Sequence, residues 1–246
     1  MGLSSNSIIH FTKTSDALKE ILSNNFKIFY SRESIILEKK IQYAAPMVSF
    51  CDIPLSSIKE HIGKYGSYGI GLTKDWAQSQ QLNPVLYVDK KSDLSKSYNS
   101  LYNKYFRVGK KMKDLDDSEK HMLNLLRYIK NYEADLIRGG EVIKDYRYSD
   151  EREWRFLPDY EKCSNMAIKV SLIDTDEKKA KYNNSISDLR LKFEPNDIKY
   201  IIIEQESEIS EFVDVLKKSK GNKYTYNDVE RLMTRIITSE QIVTDL

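Results

Sequence analysis

Two rhythms run along this 246-residue chain: short apolar or alternating stretches near both ends, and a helix-like spacing in the middle. Ser7–Thr12 reads as a buried strand. Ser15 then caps a helix whose Ala17, Leu18, Ile21 and Leu22 share one face, and Asn24-Asn25 closes it. Lys27–Ser31 is predicted extended and Pro46–Cys51 a second apolar strand. Pro54 suits the first turn of a helix through about Glu60-His61, stopped near Gly63. Tyr65–Leu72 carries three glycines, at a density that marks close backbone approach or a bulge. A short helix from Thr73 and a strand Pro84–Val88 follow.

Between about 94 and 137 the pattern turns helical and charged, with Leu123, Leu126, Ile129 and Tyr132 as one stripe after a Ser118 cap. That stripe needs somewhere to dock, which predicts a helical insertion rather than a second domain. The last third predicts strands at Glu153–Leu157, Ala167–Val170, Leu189–Phe193 and Ile198–Ile203, the last apolar enough to be central. Helices follow from Ser207 to about Lys218 and from Asp228 behind an Asn227 cap. The expectation is one α+β domain over 1–246.

Composition narrows the function. The 39 basic and 37 acidic residues leave a net charge of +2, without the positive field of a protein held to nucleic acid by phosphate contacts alone. Two cysteines, Cys51 and Cys163, without further ligands at metal-site spacing, predict reduced thiols and no metal. The first residues lack a basic region backed by an apolar one, and no segment approaches 18 apolar residues, which predicts a cytoplasmic protein without a membrane span. There is no GxxxxGK[ST], HExxH or GxSxG, and no GxGxxG with its acidic partner.

Three features carry candidate chemistry, each with a structural alternative. His10 lies inside an apolar strand, where a neutral histidine bonded to backbone is the plain reading. In Asp150–Phe156, period-2 alternation puts Glu151, Glu153 and Arg155 on one face and Arg152, Trp154 and Phe156 on the other. That face is a site, or a solvated strand with ion pairs worth about 0–1 kcal/mol each. In Tyr65–Leu72, glycine lets a planar ligand approach while Tyr65 or Tyr68 stacks on it, or marks a tight strand entry.

These residues resemble a known family. Ile8–Lys13, Pro46–Leu55, Tyr65–Lys74, Trp76-Ala77, Asn83–Tyr87, Asp150–Arg155 and Phe193–Ile202 together resemble the AbiGi abortive-infection proteins, over most of the chain. The resemblance implies phage defence and a nearby-encoded protein partner, since members are described as the antitoxin half of a two-gene system with a nucleotidyltransferase-like toxin. A second resemblance, to bacterial ADP-ribosyltransferases, rests on the order of His10, Tyr68 and Glu153. It implies a split mixed or antiparallel sheet flanked by helices, and NAD as substrate for modifying a protein or nucleic acid. Glu153 would stabilise the oxocarbenium-like centre, His10 would hold the adenosine ribose, Tyr68 or Tyr30 would stack on nicotinamide, and Arg155 would meet the pyrophosphate. Thr12 would stand beside His10 at the cofactor. The family's Ser-Thr-Ser run is absent here. An NAD-consuming enzyme and a non-catalytic toxin-restraining protein both stand. On the first reading, Glu153→Gln removes activity while barely changing stability.

Overall fold

The computed structural model describes residues 5–105, 112–138, 141–221 and 224–245. It is an α+β fold with mixed strand pairing. Contacts group the chain into two compact units, each assembled from separated segments: the first from 1–27, 49–82 and 190–246, the second from 28–48 and 83–189.

The first unit is built on a sheet whose middle members are the predicted strands. Ser7–Thr12 pairs antiparallel with Tyr68–Thr73, which pairs antiparallel with Ile198–Ile203. Ile198–Ile203 in turn runs parallel to Ile236–Thr238, making the sheet mixed. Ile201, Ile202 and Ile203 are fully buried, as a central strand requires. The helices Ser15–Asn24 and Ile209–Lys220 pack together, burying Leu18, Leu22, Phe212 and Leu216. The first helix is capped by Thr14, whose side chain accepts from the Ala17 amide, one residue ahead of the expected Ser15. Thr225 likewise caps the helix Tyr226–Met233 in place of Asn227. The glycines act through backbone approach. Gly66 has φ of 125°, and a Cβ there would lie 2.3 Å from the Thr12 carbonyl oxygen. A Cβ on Gly71 would lie 2.8 Å from the Tyr200 ring.

In the second unit, Phe29–Ile36 pairs in full antiparallel register with Lys40–Cys51, of which the sequence reading had caught only the ends. The expected helical insertion at 94–137 is shorter than read. Helices run over Asp93–Tyr105 and Asp117–Arg127, residues 106–111 lie outside the described residues, and Ile129–Asn131 and Glu133–Arg138 are strands. The second helix is capped by Asp116, not Ser118, in a reciprocal box with Glu119. Leu123 and Leu126 pack against Ile35, Tyr43 and Met47, so this helix belongs to the unit's main core. Glu133–Arg138 and Glu141–Arg147 form a hairpin that the sequence reading missed. Ala167–Val170 contributes an isolated bridge, Ala44 to Ile168, and then a 3-10 turn rather than a strand. Only Arg190–Leu191 of the expected strand at 189–193 is one.

Candidate functional site

The most organised polar chemistry lies in the second unit, around the strand Glu153–Phe156. A 3-10 turn, Tyr148–Glu151, leads into it through Arg152, held in the left-handed region at φ 46°. A non-glycine residue there carries strain of order 1 kcal/mol that its surroundings must over-determine. The consequence is that Glu151 and Glu153 both reach Lys130, on the strand Ile129–Asn131. Its Nζ lies 2.6 Å from Glu151 Oε2 and 2.8 Å from Glu153 Oε2, and 4.9 Å above the Tyr148 ring centroid.

Past Arg152 the alternation is strict: Glu153 and Arg155 point inward, Trp154 and Phe156 are half-buried. Arg155 is fully buried. Its Nε donates to Glu153 Oε1 at 2.7 Å and its Nη2 to Glu153 Oε2 at 3.1 Å and Glu33 Oε2 at 3.0 Å. Its Nη1 donates to the Arg127 carbonyl at 2.7 Å. The Glu153 amide donates to the Tyr87 hydroxyl at 2.9 Å, and the Tyr146 hydroxyl to Glu151 Oε1 at 3.1 Å.

Electrostatics follow from this geometry. Burial alone would raise the Glu153 pKa, but Arg155 and Lys130 outweigh it and hold the carboxyl well below the usual range. Burial lowers Lys130, yet Glu153, Glu151 and Glu33 drive it above its ordinary value. Arg155 behaves the same way. Tyr87 is pushed up to about 12, first by burial. As placed, Glu153 is held ionised with both oxygens engaged by cations, a state suited to holding strands together rather than donating a proton.

The other candidate residues are placed as follows. His10 Nδ1 lies 2.8 Å from the Ser49 carbonyl, which can only accept, so Nδ1 carries the proton. Its ring meets Phe26 and Phe50 edge-on at 5.2 and 5.6 Å, and burial lowers its pKa against the opposing Ser49 bond, keeping it neutral. Thr12 is the register partner of Tyr68. The Tyr68 hydroxyl lies 2.7 Å from Glu208 Oε1 and 3.1 Å from Glu204 Oε2, and its ring stacks on Phe212. Tyr30 is 1% exposed and donates to the Asn165 carbonyl at 3.0 Å. Glu153 and Arg155 are thus brought into contact, and His10, Thr12 and Tyr68 onto neighbouring strands of the first unit. The aromatic and charged groups proposed to receive a dinucleotide are engaged by protein partners. Lys130 and Glu33 escaped the sequence reading: Lys130 sat in an apparent helix, and Glu33 lay beyond the extended stretch read as ending at Ser31, where the structure continues the strand to Ile36.

Among the described residues, no helix is long and apolar enough to cross a membrane. The class defined by these features is an α+β protein whose polar centre is a closed, ion-paired cluster. By comparison with known proteins, the chain belongs to the AbiGi family: the family model described as "abortive phage resistance protein AbiGi, antitoxin" matches residues 17–204. A relative, the abortive phage resistance protein AbiGi of Lactococcus lactis subsp. cremoris, is 25% identical over 224 residues, covering 83% of this chain and 90% of its own. No solved structure matches the chain, so the ADP-ribosyltransferase-like resemblance has no structural neighbour behind it.

Proposed function

We propose that this chain acts in phage defence as the restraining, antitoxin-type member of a toxin pair, working by binding rather than by catalysis. The observation that carries this reading is the closed state of the chemistry: Glu153 and Arg155 are 6% and 0% exposed and saturate each other, with Lys130 and Glu33 completing the set. A transferase carboxylate must instead face the ribose it stabilises. The family's antitoxin description supports the same reading. The test is co-expression with the neighbouring gene product: relief of its growth arrest, and a complex that survives purification, are expected. Unrelieved arrest with no complex overturns the proposal.

The alternative reading, transfer of ADP-ribose from NAD to a protein or nucleic acid, rests on the order of His10, Tyr68 and Glu153. It requires Glu153 to exchange Lys130 and Arg155 for substrate. Incubating the pure protein with labelled NAD and cell extract decides it: label that stays on macromolecules favours transfer, and none favours binding.

A further inference from the structure

The sheet of the first unit contains a parallel pair, Ile198–Ile203 with Ile236–Thr238, and the two strands lead into the helices Ile209–Lys220 and Ser239–Asp245. These helices lie on opposite faces of the sheet. Register places Ile201 beside Ile70, hence on the face of Tyr68, whose ring stacks on Phe212 of the first helix. Ile202 points the other way and clusters with Ile9 and with Ile242 of the second helix. Adjacent parallel strands whose following helices diverge leave a crevice beyond their carboxyl ends, the place where open α/β sheets bind ligands. A cleft of about 390 Å³ opens at that point, with Gln205, Glu206 and Ser207 on one wall and Thr238, Glu240 and Gln241 on the other. Its floor is fixed. The Glu204 carbonyl accepts from the Ser239 hydroxyl at 3.2 Å and from the Glu240 amide at 3.4 Å. Thr238 and Gln241 bond each other reciprocally, backbone to side chain, at 3.0 Å.

We propose that this cleft receives a basic side chain, an arginine or lysine carried on a polypeptide partner. The inference rests on the reading of the chain as a binding protein and names the chemistry of what it binds. Carboxylates, hydroxyls and amides line the cleft, with no aromatic ring for a base and no cation for a phosphate among the described residues. Among those residues no lysine or arginine pairs with Glu206 or Glu240, nor with Glu204 and Glu208 beside them, which share the Tyr68 hydroxyl. An acid at a helix start complements that helix's dipole, which accounts for Glu206 and Glu240 singly. The divergence of the helices is what sets the two carboxylates across one cleft, where the several N–H donors of a guanidinium or ammonium can meet both walls. Thr238 is buried and the other wall residues are exposed. A small free ligand is held in a site that encloses most of its surface, whereas an open notch suits a side chain whose backbone stays outside.

Titrating the isotope-labelled full chain with a blocked Arg-Ala-Arg tripeptide, followed by amide resonances, tests this. Shifts are expected at Glu206, Ser207, Glu240 and Gln241, and rising salt should weaken them. The citrulline counterpart keeps the shape and loses the charge, and is expected to leave these resonances in place. Glu206→Gln and Glu240→Gln should each raise the Kd for the peptide about two- to fivefold, and together about tenfold, with the thermal melt unchanged. Shifts confined to other parts of the chain, equal binding of the citrulline peptide, or glutamine variants that bind like the wild type overturn the proposal. Spermidine binding more tightly than the peptide does so too, by making the occupant a free polyamine. None of these arms uses the toxin. A purified toxin complex without a peptide response discards the cleft and keeps the antitoxin reading, while a peptide response without relief of arrest or a complex does the reverse.

Discussion

Lys130 has the most exposed set of consequences of any single residue. Replacing it with methionine keeps the stem but leaves Glu151 and Glu153 facing each other with one cation fewer, a loss of about 3 kcal/mol or more by denaturant unfolding. Glu153→Gln, which its sequence context marked as a nearly neutral surface change, is expected to cost about 2–4 kcal/mol, because Arg155 and Lys130 lose a buried counter-charge. The pH dependence has a definite sign. The Glu153 pKa is depressed in the fold, so its contribution is complete above about pH 4.3 and is lost as pH falls toward the folded value. The Lys130 pKa is raised, so its contribution is complete below about pH 10.4 and is lost as pH rises through the folded value. Stability should therefore hold a plateau between those limits, and Glu153→Gln should flatten its acid limb in melts run from pH 3 to pH 7. Alternation made the inward pairing of Glu153 with Arg155 legible. Burial was not, because period-2 spacing says which residues share a face but not which face is covered. Glycine gives a sharper contrast. Gly66→Ala meets the Thr12 carbonyl at positive φ and should cost about 2 kcal/mol or more, whereas Gly63→Ala enters open space in a helix and should gain about 0.5–1 kcal/mol.

At the scale of elements, the helix Asp117–Arg127 shows how a true periodicity can be followed too far. Leu123 and Leu126 are core residues, and the spacing carries on to Ile129 and Tyr132, but the helix closes at Tyr128 and Ile129 is buried in a strand. A three-residue strand is too short to show a period of its own. The hairpin after it was illegible for a related reason: Leu136-Ile137 and Val142-Ile143 each place apolar residues on both faces, which blurs the alternation. By contrast, the Asp116 and Glu119 spacing is a readable start signal that Ser118 obscured. Because Leu123 and Leu126 share a core with Ile35, Tyr43 and Met47, and Lys130 follows directly, deletion of residues 94–137 should abolish the cooperative melt rather than spare it. A retained sharp transition by circular dichroism would mark the segment as dispensable after all.

For the whole molecule, neither unit is one stretch of chain, since the backbone passes between them at 27/28, 48/49, 82/83 and 189/190. The first unit draws on three segments that reach from one end of the chain to the other, and a chain truncated after 189, which lacks Ile198–Ile203, is expected to give no dispersed amide resonances from that unit. The fold class was readable because the strongest elements, Ser7–Thr12 and Ile198–Ile203, are apolar enough to declare themselves. The division was not, because discontinuous units leave no compositional boundary in the sequence. One further consequence concerns synthesis. The strand Tyr68–Thr73 acquires its neighbour Ile198–Ile203 only after more than a hundred further residues have been added. Until then one of its edges has no partner, and the first unit cannot close. A ribosome halted before that point releases a chain with an open sheet, a substrate for proteases instead of a smaller working protein. The supply of folded molecules is thus tied to uninterrupted translation through Ile198–Ile203.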